Sequence, residues 1–187
     1  AKTPIEEHNW AIPAEWAERM GADAINSSLG YLDFDLPFTS YTDRDMNGET
    51  ALTTRAATMA AARGVVVVSS AGNGGFRADR NTLVAPSDGR LVIAACAVDV
   101  MGNRAVFSSV GPTADGRFKP DVVALGVNAK VASPSGPDSY ALANGTSFSS
   151  PLTAGAVALL LEAHPTYTVE QVLSALRADH PGRKVSV

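Results

Sequence analysis

The chain has 187 residues, 45% apolar and 18% charged, which excludes a disordered segment and fits one domain, residues 1–187, with a substantial core. A formal net charge of −4, with no cluster of Lys and Arg, argues against a nucleic-acid partner. No apolar run, that of residues 154–161 included, comes near the ~20 residues that span a bilayer, so no membrane partner is expected.

Thr3-Pro-Ile-Glu6 reads as a helix start, with threonine as N-cap, proline at the first helical position and glutamate completing a capping box. Trp10, Ala14 and Ala17 follow at helical spacing and Gly21 ends the helix. Pro13 is expected to kink or break it. The chain opens on Ala1 rather than Met and shows no signal-peptide pattern, so it is expected to be an internal piece of a longer product.

Residues 24–28 read as a short strand, followed by a turn at Leu29-Gly30-Tyr31. From residue 31 to 48 runs a long loop, and structureless loops of that length are often functional. Within it Asp43-Arg-Asp45-Met-Asn47-Gly48 imitates the start of a calcium loop, but Thr54 stands where such a loop needs its bidentate glutamate. A turn leading into a capped helix is the better reading, and no metal site is assigned.

Residues 50–63 read as a helix ended by Gly64, and 65–70 as a strand buried on both faces. A helix followed by a β-branched run predicts a parallel α/β sheet. Ser70-Ala-Gly-Asn-Gly-Gly75 invites comparison with a dinucleotide loop. The third glycine of that fingerprint would fall at Arg77, and polar residues follow where a helix should start, so the reading fails. Residues 91–98 form the next buried strand. Its Cys96, the chain's single cysteine, reads as a small hydrophobe with no internal disulfide partner. A tight turn is expected at 101–104, and short strands at 128–132 and 139–144. Asp121, beside Pro120 at a strand start, reads as structural rather than catalytic. Residues 168–179 close the chain as a capped amphipathic helix with Val169, Val172, Leu173 and Leu176 on one face.

Before that last helix stands Asn144-Gly-Thr-Ser-Phe-Ser-Ser-Pro-Leu-Thr-Ala154, followed by an apolar run to residue 163. A helix apolar almost all round has no face to show water and is expected at the centre of the domain. Its N-terminus offers free N–H groups and a partial positive charge. A serine held there can attack a carbonyl while nearby donors hold the oxyanion that forms, which makes Ser147 the candidate nucleophile. The plain alternative is a hydroxyl that only caps the helix. Pro151 favours the first reading. Proline costs ~3 kcal/mol in a helix interior and less near the N-terminus, and a sequence merely optimising a helix would not choose it.

Gly145-Thr-Ser-Phe-Ser-Ser-Pro151 resembles the nucleophile motif of the subtilisin-like serine proteases, the subtilases, with Ser147 at the nucleophile position. Ala71-Gly72-Asn73, Phe107-Ser-Ser-Val-Gly-Pro112 and Lys119-Pro-Asp-Val-Val-Ala-Leu-Gly126 resemble further segments of the same family. The last departs at Leu125, where proline is usual, and Leu152 replaces a histidine often found there. The likeness runs from about residue 24 to 165. It implies that Asn73 donates its side-chain amide to the oxyanion, although an asparagine between glycines also suits a left-handed turn. It implies that Ser28, Leu29 and Gly30 form an edge that pairs with the substrate backbone. Ser70, Ala71 and Gly72 would line the pocket for the residue before the cut bond. The implied fold is three-layer α/β, a mainly parallel sheet between helices, here lacking its N-terminal strands. No cofactor is required, a structural calcium is allowed in the complete enzyme, and family habit places the protein outside the cell.

A serine triad also needs a histidine to take the hydroxyl proton and a carboxylate to orient it, in the subtilisin order Asp, His, Ser. None of the three histidines sits in the family's His-Gly-Thr-His setting, and the family's Asp-Gly segment is absent. His164 lies 17 residues past Ser147 on the same helix, about 25 Å away at ~1.5 Å rise per residue. His180 lies farther on, and His8 reads as a solvated residue at a helix start. The chain is therefore expected to be the C-terminal part of a serine endopeptidase acting on peptides or proteins. Its catalytic Asp and His would lie upstream, leaving it inactive by itself. The rival is a non-catalytic pseudoprotease that binds peptides. The α/β-hydrolase motif Gly-x-Ser-x-Gly fails because Ser149 takes the second glycine's place. Without upstream strands, the strand at 24–28 is left as an open edge. The missing N-terminal half or a second copy of the chain is the expected partner there.

Overall fold

The computed structural model describes residues 2–178. Its elements are α1 (Ile5–Arg19), β1 (Ala24–Ser27), a 3-10 turn (Asp43–Asp45), α2 (Leu52–Ala62), β2 (Val66–Ser70), β3 (Ile93–Val98), β4 (Val122–Leu125), β5 (Ala129–Ala132), β6 (Tyr140–Ala143), α3 (Thr146–Ala163) and α4 (Val169–Ala178). β1 to β4 form a parallel sheet in that spatial order, and β5 pairs with β6 as a separate antiparallel hairpin.

The alternation of side chains along β2 builds the layers. Val67 packs with Trp10, Ala14, Ala57 and Ala60 of α1 and α2, whereas Val66 and Val68 pack with Val157, Val172 and Leu173 of α3 and α4. Both faces of the sheet are thus covered, which is why β2 and β3 are uninterrupted apolar or small-residue runs with every residue buried. Each buried valine contributes about 1.5–3 kcal/mol relative to exposure.

Several local expectations are corrected. α1 runs unbroken through Pro13. That residue and Asn9, whose carbonyl loses its helical donor, are both exposed, so water serves the freed group. Thr3 does not cap α1 with its hydroxyl; only the Glu6 carboxylate reaches back, to the Thr3 N–H at 3.4 Å. α2 starts behind Ala51, which has no capping group. The buried Glu7 of α1 does that work, its Oε1 accepting both the Thr53 N–H and the Thr53 hydroxyl at 3.1 Å. The Asp45 carboxylate is spent on the Thr42 N–H and hydroxyl, at 2.8 and 2.7 Å, within a turn.

The expectation that α3 is buried all round does not hold. Thr146, Ser149, Ser150, Thr153 and Val157 are buried, but Leu152 is 53% and Leu159 68% exposed. The sheet covers one side of this helix, and no described element crosses the other. α4 behaves as expected: Thr168 and Gln171 cap each other reciprocally, and Val169, Val172 and Leu173 are buried. The predicted end of that helix at Asp179 lies outside the described residues.

Candidate active site

The candidate nucleophile, the candidate oxyanion donor and the two candidate substrate edges lie at the carboxyl ends of the parallel strands, where open α/β sheets place their sites. Gly145 leads into α3 with φ of +152°, a conformation that favours glycine, and its N–H donates to the Gly126 carbonyl at 2.9 Å. The first turn of α3 is then fastened on two sides. Ser150 Oγ donates to Asn26 Oδ1 at 2.7 Å and Ser149 Oγ to the Ala124 carbonyl at 3.1 Å, tying the helix to β1 and β4.

Ser147 is half-buried at this junction. Its hydroxyl donates to the Ser28 carbonyl at 3.3 Å, and the Ser28 hydroxyl donates back to the Ser147 carbonyl at 2.8 Å. Beyond Ser28 the chain exposes Leu29, and Gly30 packs so closely that an added Cβ would lie 2.4 Å from Val84 Cγ2. The loop after β2 arrives from the other side. Ser70, Ala71 and Gly72 are buried, while Asn73 and Gly74 reach the surface. Asn73 Oδ1 accepts from both the N–H and the hydroxyl of Thr146, each at 3.0 Å, and the Gly72 N–H donates to the same hydroxyl at 3.2 Å. The amide is therefore anchored by its oxygen to the residue beside Ser147, and no acceptor among the described residues holds its Nδ2.

The structure does not bring a histidine to Ser147 among the described residues. His8 is exposed on α1, and His164 ends α3 stacked on Tyr167 at 4.4 Å between ring centroids. His180 lies outside the described residues. Asp121 is buried far from the nucleophile's partners, accepting from the Ala94 N–H at 2.7 Å and pairing with Lys119 and Arg177. Sequence reasoning missed Thr146, Ser150 and Asn26 as fasteners, because a hydroxyl at a helix start reads as an ordinary cap. Gly126 carried the one available signal, a glycine closing a strand where another backbone approaches.

A family model described as the subtilase family matches residues 5–180. The chain belongs to the subtilase family. Among subtilases it is 41% identical over 162 residues to subtilisin DY of Bacillus licheniformis, covering 87% of this chain and 51% of that protein. To subtilisin NAT of Bacillus subtilis subsp. natto it is 36% identical over 173 residues, 92% of this chain and 39% of the relative. A solved cold-adapted subtilisin-like serine proteinase superposes with a TM-score of 0.71 at 24% identity, over 94% of this chain and 55% of its own. That likeness speaks to the fold. The chain spans about half the length of the relatives it matches.

The subtilase resemblance also allows a structural calcium in a complete domain. The described residues bring together no group of three or more His, Cys, Asp or Glu. No described helix is long and apolar enough to cross a membrane.

Proposed function

We propose that this chain supplies the nucleophile and oxyanion half of a serine endopeptidase. Ser147 attacks the peptide carbonyl, and a histidine oriented by an aspartate, both upstream of this chain, takes its proton. The Asn73 Nδ2 and the Ser147 N–H hold the oxyanion. The observation that carries this reading is the double hydrogen bond from Thr146 to Asn73 Oδ1, which leaves the amide's N–H side beside the start of α3 with no acceptor among the described residues. Substrate would lie as an extended strand between Ser28, Leu29 and Gly30 on one side and Ser70, Ala71 and Gly72 on the other. Family habit favours an extracellular location.

The direct test joins this chain to its natural upstream coding sequence and assays peptide cleavage with and without Ser147→Ala. Cleavage that survives the substitution overturns the assignment. The chain by itself is expected to react slowly with a serine-directed phosphonate, and rapid stoichiometric labelling of Ser147 would overturn the missing-base reading. A peptide-binding pseudoprotease is favoured instead if the upstream sequence lacks Asp-Gly and His-Gly-Thr-His segments.

We further propose that the free side of β1 pairs with that upstream half or, without it, with a second copy. Its position at the end of the sheet order supports this, as do exposed Ile12 and Trp16 on α1 and Leu152 and Leu159 on α3. Gel filtration at low concentration is expected to show association, and a stable monomer would sink the idea.

A further inference from the structure

Asparagine followed by glycine readily loses its side-chain amide, because a residue without Cβ lets its backbone nitrogen close on the asparagine Cγ. The chain has three such pairs, beginning at Asn47, Asn73 and Asn144. The fold treats them differently. Asn47 is pinned at both ends of its amide: Oδ1 accepts the Glu49 and Thr50 N–H groups at 2.9 and 3.0 Å, and Nδ2 donates to the Thr50 hydroxyl at 2.8 Å. Its glycine, Gly48, is buried. Asn144 is exposed, but Gly145, whose nitrogen would have to attack, is buried.

Around Asn73 solvent access and a polarised side-chain amide occur together. Asn73 and Gly74 are both exposed, so water reaches the bond. The two donors from Thr146 sit on Oδ1 at the positive end of α3, where they draw charge from Cγ and would hold the oxyanion of an attack on it. The leaving nitrogen Nδ2 is held by no acceptor among the described residues. The Gly74 N–H, whose nitrogen must attack, donates to the Ser109 hydroxyl oxygen at 2.9 Å.

We propose that Asn73-Gly74 is the chain's intrinsic deamidation site. The Gly74 nitrogen forms a bond to Asn73 Cγ and gives up its proton to hydroxide from the solvent that reaches exposed Gly74. The Cγ–Nδ2 bond breaks, and ammonia leaves with a proton taken from water. Water then opens the succinimide at either carbonyl, leaving aspartate or isoaspartate. Resting on the reading of Asn73 as oxyanion donor, the step replaces an N–H donor by a negatively charged acceptor, so the site carries its own clock.

The test incubates the full folded chain in mildly alkaline buffer and scores ammonia loss and isoaspartate at each Asn-Gly pair by peptide mass spectrometry. Asn73 is expected to convert several-fold faster than Asn47 and Asn144 in the same molecules, with the order collapsing in urea. Conversion at Asn73 no faster than at the other two, or an order that persists in urea, overturns the proposal. Thr146→Val is expected to slow Asn73 several-fold and leave Asn144 unchanged. A faster rate in that variant would make Thr146 a guard rather than an activator and overturn it equally. The readout is mass, so failure here leaves the peptidase reading standing, and a chain without peptidase activity can still pass.

Discussion

Thr146 donates to the carboxamide oxygen of Asn73 twice, through its backbone N–H and its hydroxyl, each at 3.0 Å. The same hydroxyl accepts the Gly72 N–H, so one buried side chain joins the loop after β2 to the start of α3. Thr146→Val keeps the shape and removes both hydroxyl bonds, leaving a buried N–H unpaired. The expected loss is about 1–3 kcal/mol in urea unfolding. Thr146→Ser should recover most of it, and an undamaged Thr146→Val beside a destabilised Thr146→Ser would show that only the methyl group matters.

Gly126→Ala should be as damaging for a steric reason. A Cβ there would lie 2.4 Å from Ser149 Oγ, 2.6 Å from Ala97 Cβ and 2.9 Å from the Gly145 carbonyl. Backbone cannot swing aside as a side chain can, so about 1–3 kcal/mol is expected. Ser149→Ala in the same chain should return part of that, measured as a shift in the urea midpoint.

Glu7 is buried and serves three donors from two segments: the Thr53 N–H and hydroxyl, and the Tyr41 hydroxyl at 2.8 Å. Glu7→Ala leaves them unpaired at about 1–3 kcal/mol for each buried donor. Glu7→Gln should be milder, since its amide oxygen can still accept. Hydrogen exchange at the Thr53 amide separates the cases, with protection falling furthest in the alanine variant.

Tyr41 gives the fold an alkaline limit. Burial first, and then the hydrogen bond to Glu7, push its pKa from 10.0 up to about 12. Between those values the unfolded chain has released a proton that the folded chain keeps. The contribution of Tyr41 to stability is therefore full below about pH 10 and falls as pH rises towards about 12. Tyr41→Phe should remove this tyrosine's share of the slope, followed by urea unfolding across that range beside tyrosinate absorbance. An unchanged slope would place the effect elsewhere.

Lys119 is a buried ammonium held by the Val92 carbonyl at 2.5 Å and the Asp121 carboxylate at 2.7 Å, and burial lowers its pKa. Arg177 reaches the other oxygen of the same carboxylate. Lys119→Met strips a buried anion of its buried counter-charge and leaves only the half-exposed Arg177, at about 3–5 kcal/mol. Adding Asp121→Leu should restore part of the loss in thermal or urea unfolding, because two uncharged residues then meet. No recovery would mean that the Ala94 N–H bond of Asp121 dominates.

What the sequence disclosed was local or repeated. β2 and β3 announced themselves as unbroken runs, and Thr168 with Gln171 as a cap, because each signal lies within a few residues of its cause. The motif around Ser147 was legible for the same reason, and Asn73 became so through resemblance. Glu7 capping Thr53 was invisible, since the two are 46 residues apart and a glutamate early in a helix ordinarily faces water. Lys119 was invisible too, since lysine is almost never fully buried unless paired. α3 misled because all-round hydrophobicity tells how much cover a helix wants, whereas the four-stranded sheet decides how much it receives.

That unmet demand sets how the molecule behaves as a solute. The outward stripe of Pro151, Leu152, Gly155, Ala156 and Leu159 carries no charge before Glu162. Warming strengthens the mutual attraction of such stripes. Coalescence should then outrun melting, so the ceiling on working temperature would be set by colloid chemistry, at a point that moves with protein concentration.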